Sequence, residues 1–280
     1  MIRPGDQRKG YGRSLPGWLV MIAILVASDL ADGAGWGAAA DDGAQAPIAT
    51  DRPSMTDSSI VVPLGSLQAE SGFADTVTQG QTTLDGPETL LRFGLLSKTE
   101  LRLTAPNYFG VVTSGAGGSS GFGDLAVGMK QQLGPVHGFD VSLVATLSLP
   151  TGAQAISSHG YDPSVQLPWS RALSPHWTAA GMLSMYWPTQ PAQDGNRRNR
   201  TGETTFLIDR QVTNRWDGFV EYAGDFPERG GPRNLVHFGT SWKVTPRQQL
   251  DLHVGVGLSS AAVDHFIGVG YSFRLQARHR

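Results

Sequence analysis

Between Ser66 and Leu275, apolar residues recur at every second position through most of the chain. Leu101, Leu103 and Ala105 alternate with Glu100, Arg102 and Thr104. Leu250, Leu252, Val254, Val256 and Leu258 alternate with Asp251, His253, Gly255 and Gly257. Ile267, Val269, Tyr271 and Phe273 alternate with Gly268, Gly270, Ser272 and Arg274. Successive residues of a strand face opposite sides, so each run predicts a β-strand with one apolar face. Helical periodicity is hard to find. The fold class is therefore all-β. Two stretches read weakly: one holds Pro163 and Pro168, and Thr205 to Val212 alternates poorly.

The connections decide what kind of β protein this is. Short ones recur at about 96–100, 134–138, 173–177, 212–216 and 244–248, with Pro, Asn, Gly and Ser/Thr supplying turn dihedrals. Longer Gly/Ser/Asn-rich ones lie at about 79–86, 111–120, 151–160, 188–201, 226–231 and 259–262. Gly115 to Gly123 lacks the Gly-Lys-Ser/Thr ending of a phosphate loop and reads as an external loop. Short and long connections take turns along about twelve strands: 66–78, 87–96, 99–110, 121–133, 138–150, 161–172, 176–187, 201–212, 215–225, 232–244, 247–258 and 263–275. An even number of alternating segments near ten residues, tight turns at one end and long loops at the other, describes a closed antiparallel transmembrane β-barrel. Closure pairs every strand edge, as lipid requires.

Composition fits that reading. Charged residues are 16% of the 280, against about 25% in ordinary soluble domains, as a lipid-facing band demands. A mean hydropathy of −0.18 excludes a bundle of membrane helices. The absence of cysteine excludes disulfides, thiolate metal sites and cysteine nucleophiles, and a net charge of −2 gives no reason to expect a nucleic-acid partner.

Residues 1–40 read as a secretory signal peptide. Arg3, Arg8, Lys9 and Arg13 precede the apolar run Trp18 to Ala27, and small residues follow up to Ala40. The run is too short to span a bilayer, which takes about 20 residues. Residues 41–65 do not alternate and hold Pro47, Pro53 and Pro63. Two readings stay open for them: a solvated periplasmic tether, or a plug threading back into the lumen through Asp51, Arg52 and Asp57. Residues 66–275 form the barrel and 276–280 a basic tail. With twelve strands both termini are periplasmic, in the outer membrane of a Gram-negative-type bacterium. Trp177, Trp216 and Trp242 near the tight turns, and Tyr186, Trp187 and Tyr222 at the opposite strand ends, are expected to form two interfacial girdles.

Facing positions place Glu70, Arg92, Glu100, Arg102, Asp124, Lys130, Asp217, Glu221, Asp251, His253 and Arg274 in the lumen, since charge on the lipid face costs about 2–4 kcal/mol at the midplane. Such residues either select solutes or pair across strands and prop the wall. Twelve strands lie between a filled eight and an open sixteen, so a narrow or partly plugged pore is expected. No catalytic residue, cofactor site or metal site is predicted. His253 and His265 near Ser259, Ser260 and Asp264 invite a lipid-hydrolase reading, but no Gly-x-Ser-x-Gly frames either serine.

One resemblance spans most of the chain beyond residue 50. Asp51-Arg-Pro-Ser54, Thr56-Asp-Ser-Ser59, Val62-Pro63, Gly65 and Leu67 to Phe73 resemble the opening of the outer-membrane transporter family associated with the meta-pathway of phenol degradation. Glu88 to Gly94, Glu100-Leu-Arg102, Gly121 to Leu125, Leu147 to Gly152 and Val269 to Phe273 continue it in order. The resemblance implies an outer-membrane barrel that transports solutes and is inserted by the barrel-insertion machinery. One departure is the end: Phe273 is followed by Arg274-Leu275 and the tail rather than closing on a terminal aromatic. The expected function is passive passage of small solutes, aromatic or apolar ones among them, with outer-membrane lipid and a small solute as partners. The rival is a non-transporting structural or ligand-binding barrel, and a barrel lipid hydrolase comes third.

Overall fold

The computed structural model describes residues 47–115, 117–190 and 197–276. The signal-peptide reading of 1–40 falls outside them, as does nearly all of the basic tail. Every regular element among the described residues is a strand. In chain order they are β1 (Ser66–Thr78), β2 (Gln81–Gly86), β3 (Leu90–Leu96), β4 (Thr99–Thr104), β5 (Tyr108–Thr113), β6 (Gly117–Phe122), β7 (Leu125–Val136), β8 (Phe139–Leu149) and β9 (Asp162–Ser174). There follow β10 (Trp177–Tyr186), β11 (Thr189–Gln190), β12 (Arg197–Arg198), β13 (Thr201–Thr213), β14 (Trp216–Pro227), β15 (Arg233–Thr245), β16 (Gln248–Gly257) and β17 (His265–Gln276).

Antiparallel neighbours run around the molecule, and β17 returns to β1 from Ser66↔Gln276 to Val77↔His265. The sheet is closed, and both of its terminal strand ends lie at the end that carries the short turns. The wall has twelve strands because three of them are interrupted at one level. β2 and β3 pair with the two halves of β1; β5 and β4 continue them, and β6 and β7 continue those in turn. The breaks fall at Gly86-Pro87, Ala105-Pro-Asn107 and Gly123-Asp124, where proline lacks a ladder donor and glycine permits the bend. Hydrogen bonds bridge them, including Gly123 N–H to Asn107 O at 2.7 Å and Ala105 N–H to Thr89 O at 2.9 Å.

These interruptions correct two expected loops. Most of 79–86 is β2, joined to β1 by the tight turn Gln79-Gly80, and much of 111–120 belongs to β5 and β6. Gly117 to Phe122 is thus a paired strand rather than an external loop. Its small residues hid the alternation, but backbone pairing needs no side chain. Beyond β6 the 151–160 connection takes over, with Ala153 N–H donating to Phe122 O at 2.8 Å. The stretch holding Pro163 and Pro168 still forms a strand, β9. The β8–β9 ladder skips from Val141↔Trp169 to Val144↔Gln166, beside Pro168.

Alternation sorts the side chains as the sequence requires. Leu67, Phe73, Leu101, Leu183, Phe206, Val220, Phe238, Leu252, Val254 and Val269 are exposed on the outer face, while Gln68, Glu70, Arg92, Glu100, Lys130 and His237 are fully buried inside. This inverts a water-soluble protein, where large apolar groups go inward. Replacing the outward mid-strand Leu252 by Arg should therefore cost about 2–4 kcal/mol. Leu252→Ala should cost clearly less. Guanidinium titration of the vesicle-inserted protein, followed by tryptophan fluorescence, measures both.

Candidate functional site: the charged interior

Arg92 and Arg102 lie directly opposite each other on β3 and β4, both facing inward. Like charges directly opposite are destabilising, so the pair needs an anion. Two sources supply it. Glu100 takes Arg92 Nε at 2.8 Å and Arg102 Nη1 at 3.1 Å, and Glu70 takes Arg92 Nη1 at 3.0 Å. The other source is the segment before the barrel: Asp51 lies 3.2 Å from Arg92, 2.6 Å from Arg102 and 3.0 Å from Lys130. Burial by itself would raise the Asp51 carboxyl, but the charges of Arg102, Arg92 and Lys130 outweigh it and hold it well below the usual carboxylate range. Asp57 sits 3.1 Å from Arg102. Here burial, with the neighbouring Asp51 charge, raises the carboxyl. Four carboxylates, Asp51, Asp57, Glu70 and Glu100, face three cations in this cluster.

The same segment reaches the opposite wall. Arg52 is ion-paired to Glu88 and lies 3.4 Å from Asp251. Met55 N–H and Thr56 N–H donate to the Glu221 carboxylate at 2.9 and 2.8 Å. Glu221 and His237 are cross-strand partners on β14 and β15. His237 Nδ1 is 2.8 Å from Glu221, its Nε2 is 3.0 Å from His253 Nδ1, and His253 Nε2 is 3.5 Å from Arg52 Nη2. Two neutral imidazoles with the proton on Nδ1 satisfy every link: Arg52 donates to His253, His253 to His237, and His237 to Glu221. Phe219 and Phe266 pack against the imidazole pair with centroids 5.1 to 5.7 Å apart.

Main-chain contacts complete the path. Residues 47–65 begin beside the 245–247 turn, where Ile48 N–H donates to Pro246 O at 2.8 Å. They rise to Glu221, then return past Ser142 and Ser170. Ile60 O accepts from Arg92 at 2.9 Å, and Val62 N–H donates to Glu100 at 2.8 Å. Glycines make the room. A Cβ at Gly72 or Gly270 would overlap the Arg52 side chain, and one at Gly94 would overlap the Pro63 carbonyl. Gly72 and Gly270 are themselves cross-strand partners, so one smooth patch on the wall seats one guanidinium.

The remaining predicted residues are spread more widely. Asp217 faces inward and is ion-paired with Lys243. Arg274 is buried on the inward side of β17. Asp124 sits at the wall break and accepts from Gly152 N–H at 2.8 Å and Ser158 N–H at 3.0 Å, which ties it to the 151–160 connection. Trp177, Trp216, Trp242 and Tyr222 are exposed on the outer face, and Trp187 is half-buried just past β10. Tyr186 corrects the girdle expectation. It shares the inward face with Met182 and Ser184, and its hydroxyl meets Glu203 and Gln166, each at 3.1 Å. It ends the strand at the right height but on the other parity. The residues behind the hydrolase reading do not converge: His253 faces in, His265 lies on the outer face, Ser259 Oγ donates to Pro232 O at 2.7 Å, and Asp264 accepts from Gln79 N–H at 2.8 Å.

Sequence reasoning missed Gln68, Glu88, Glu203, His237 and Lys243. His237 and Lys243 were readable, because Val236, Phe238 and Trp242 alternate around them. Glu203 was not, since its strand alternates poorly, and Glu88 lies in the break between β2 and β3.

Comparison with known proteins bears on this architecture. The structure is similar to an outer membrane channel from Pseudomonas putida F1, at 14% identity and a TM-score of 0.65 over 80% of this chain and 99% of that one. It is also similar to the NanC porin, at 9% identity and a TM-score of 0.54 over 75% of this chain and 100% of that one. At such identities the likeness is one of fold. No curated protein matches the chain in sequence. The family model described as "Putative MetA-pathway of phenol degradation" matches residues 50–275, and the chain belongs to that family.

Proposed function

We infer that this protein is an outer-membrane channel for passive passage of small solutes, aromatic or apolar ones among them, and that residues 47–65 are a plug latched to its lumen. The observation that carries the reading is the Asp51 carboxylate between Arg92 and Arg102. The wall holds two like charges face to face, and of the two carboxylates that join them, Glu100 belongs to the wall and Asp51 to a segment outside the sheet. A wall built only for stability has a simpler solution, since well-packed apolar residues often match or exceed a buried ion pair. A latch of several moderate bonds can be undone in steps without disturbing the ladder. The short-turn end is then periplasmic, the lumen-facing charges set which solutes pass, and the barrel works without catalysis.

The rival, a non-transporting barrel, draws support from the same contacts, because the plug bonds to strands on nearly every side of the lumen. Conductance separates the two. Deleting residues 41–62 should raise single-channel conductance in planar bilayers several-fold over the full chain. Unchanged conductance would sink the plug. Silence in both forms would favour the rival.

The latch makes a finer prediction. Asp51→Asn leaves Arg92, Arg102 and Lys130 short of one counter-charge, and breaking a buried pair from one side costs about 3–5 kcal/mol. Much of that cost is escaped if the segment leaves the lumen. The variant should therefore keep a closed barrel, read as heat-modifiable gel mobility, yet show frequent openings in single-channel traces. Gly270→Val, which removes the seat of Arg52, should show the same phenotype.

A further inference from the structure

Above the plug tip, a cavity of about 320 Å³ is floored by Arg52 to Met55 and walled by β1, β2, β15, β16 and the start of β17. It lies on the side of Arg52 away from the short turns, among residues in the long-loop halves of their strands. Its lining divides by chemistry. Toward β15 to β17 the lining is Leu235, Val263 and Phe266, beside the His237 and His253 imidazoles. The other side carries Asp85 and Glu88. Asp85 pairs with the inward Ala74 on β1 and so faces the lumen.

The charge balance is uneven. Among the described residues, Arg52 is the one cation lining this cavity, and it is already shared between Glu88 and Asp251. The two histidines are neutral in the hydrogen-bond order that satisfies their neighbours. When its groups are ionised, the cavity therefore carries more negative than positive charge. Two carboxylates side by side raise each other's energy, and a cation placed against them relieves it. An anion there would meet the same repulsion.

We propose that this cavity is a binding site for a single-ring aromatic ammonium solute, its ring on Phe266, Leu235 and Val263 and its ammonium on Asp85 and Glu88. The volume suits a molecule of this size, being at the low end of ligand cavities, about 300–1,000 Å³. A ring beside Phe266 gains an edge or offset contact. An ammonium on carboxylates makes charge-assisted hydrogen bonds, roughly twice as strong as neutral ones. The site rests on the reading of the lumen as a solute path, and it would act as a selective station above the plug.

The test is calorimetric titration of the full-length mature protein in detergent with benzylammonium, benzyl alcohol and benzoate, each corrected by titration into detergent alone. Benzylammonium should bind about tenfold or more tightly than benzyl alcohol, and benzoate should give no binding heat. Asp85→Asn should bring benzylammonium down to the level of benzyl alcohol, and Val263→Trp, which fills the apolar side, should abolish both. Equal binding of the three ligands to the unaltered protein, or an Asp85→Asn protein that keeps its preference, overturns the proposal. The ligand series needs no variant to fold. A protein that conducts in bilayers but shows no preference loses this site alone. One that prefers benzylammonium but never conducts loses the channel reading alone.

Discussion

The pairing of β1 with β17, from Ser66↔Gln276 to Val77↔His265, is the constraint on which the rest depends. A backbone N–H or C=O facing hydrocarbon has no water to turn to, so a sheet in a membrane must have no open edge. Once the edge is gone, every strand has one face toward lipid and one toward a narrow interior. Phe73, Leu101, Leu252 and Val269 are then exposed without cost. Glu70, Arg92, Glu100 and Lys130 must instead satisfy one another in a space of low dielectric, where an unpaired charge is expensive.

That interior is more than twelve strands can settle alone. Arg92 opposite Arg102 is a fault in a sheet by ordinary pairing rules. It becomes a clasp when Asp51, entering from outside the ladder, joins Glu100 between them. On the far wall, Glu221 receives two main-chain N–H groups from the same segment and orders His237 and His253 behind it. Gly72, Gly94 and Gly270 complete the arrangement by having no side chain where the segment presses closest. Charge, hydrogen bonding and missing volume all serve one inserted strand of chain.

The outer surface at the short-turn end follows a different physics. Arg171 lies over Phe139 at 4.9 Å and Arg210 over Trp177 at 5.2 Å. Trp216 and Trp242 are cross-strand partners, both exposed. Amphipathic rings and arginines belong at a bilayer interface, where ring faces meet acyl chains and guanidinium groups meet headgroups.

Much of this was legible in the sequence. Period-two alternation depends only on the geometry of a strand, so it was enough for the fold class and the number of wall strands. It failed where alternation gives no signal: in the Gly/Ser run that became β6, in the breaks that carry Glu88 and Asp124, and at Tyr186, where reaching the strand end mattered less than the parity of its position. Partners were a matter for the tertiary structure alone. That Arg102 meets Asp51, that Arg52 spans from Glu88 to Asp251, and that a cavity with two carboxylates remains above them depend on closure across the lumen. Residues 36 to 199 positions apart come within hydrogen-bonding distance there, and no local pattern encodes that distance.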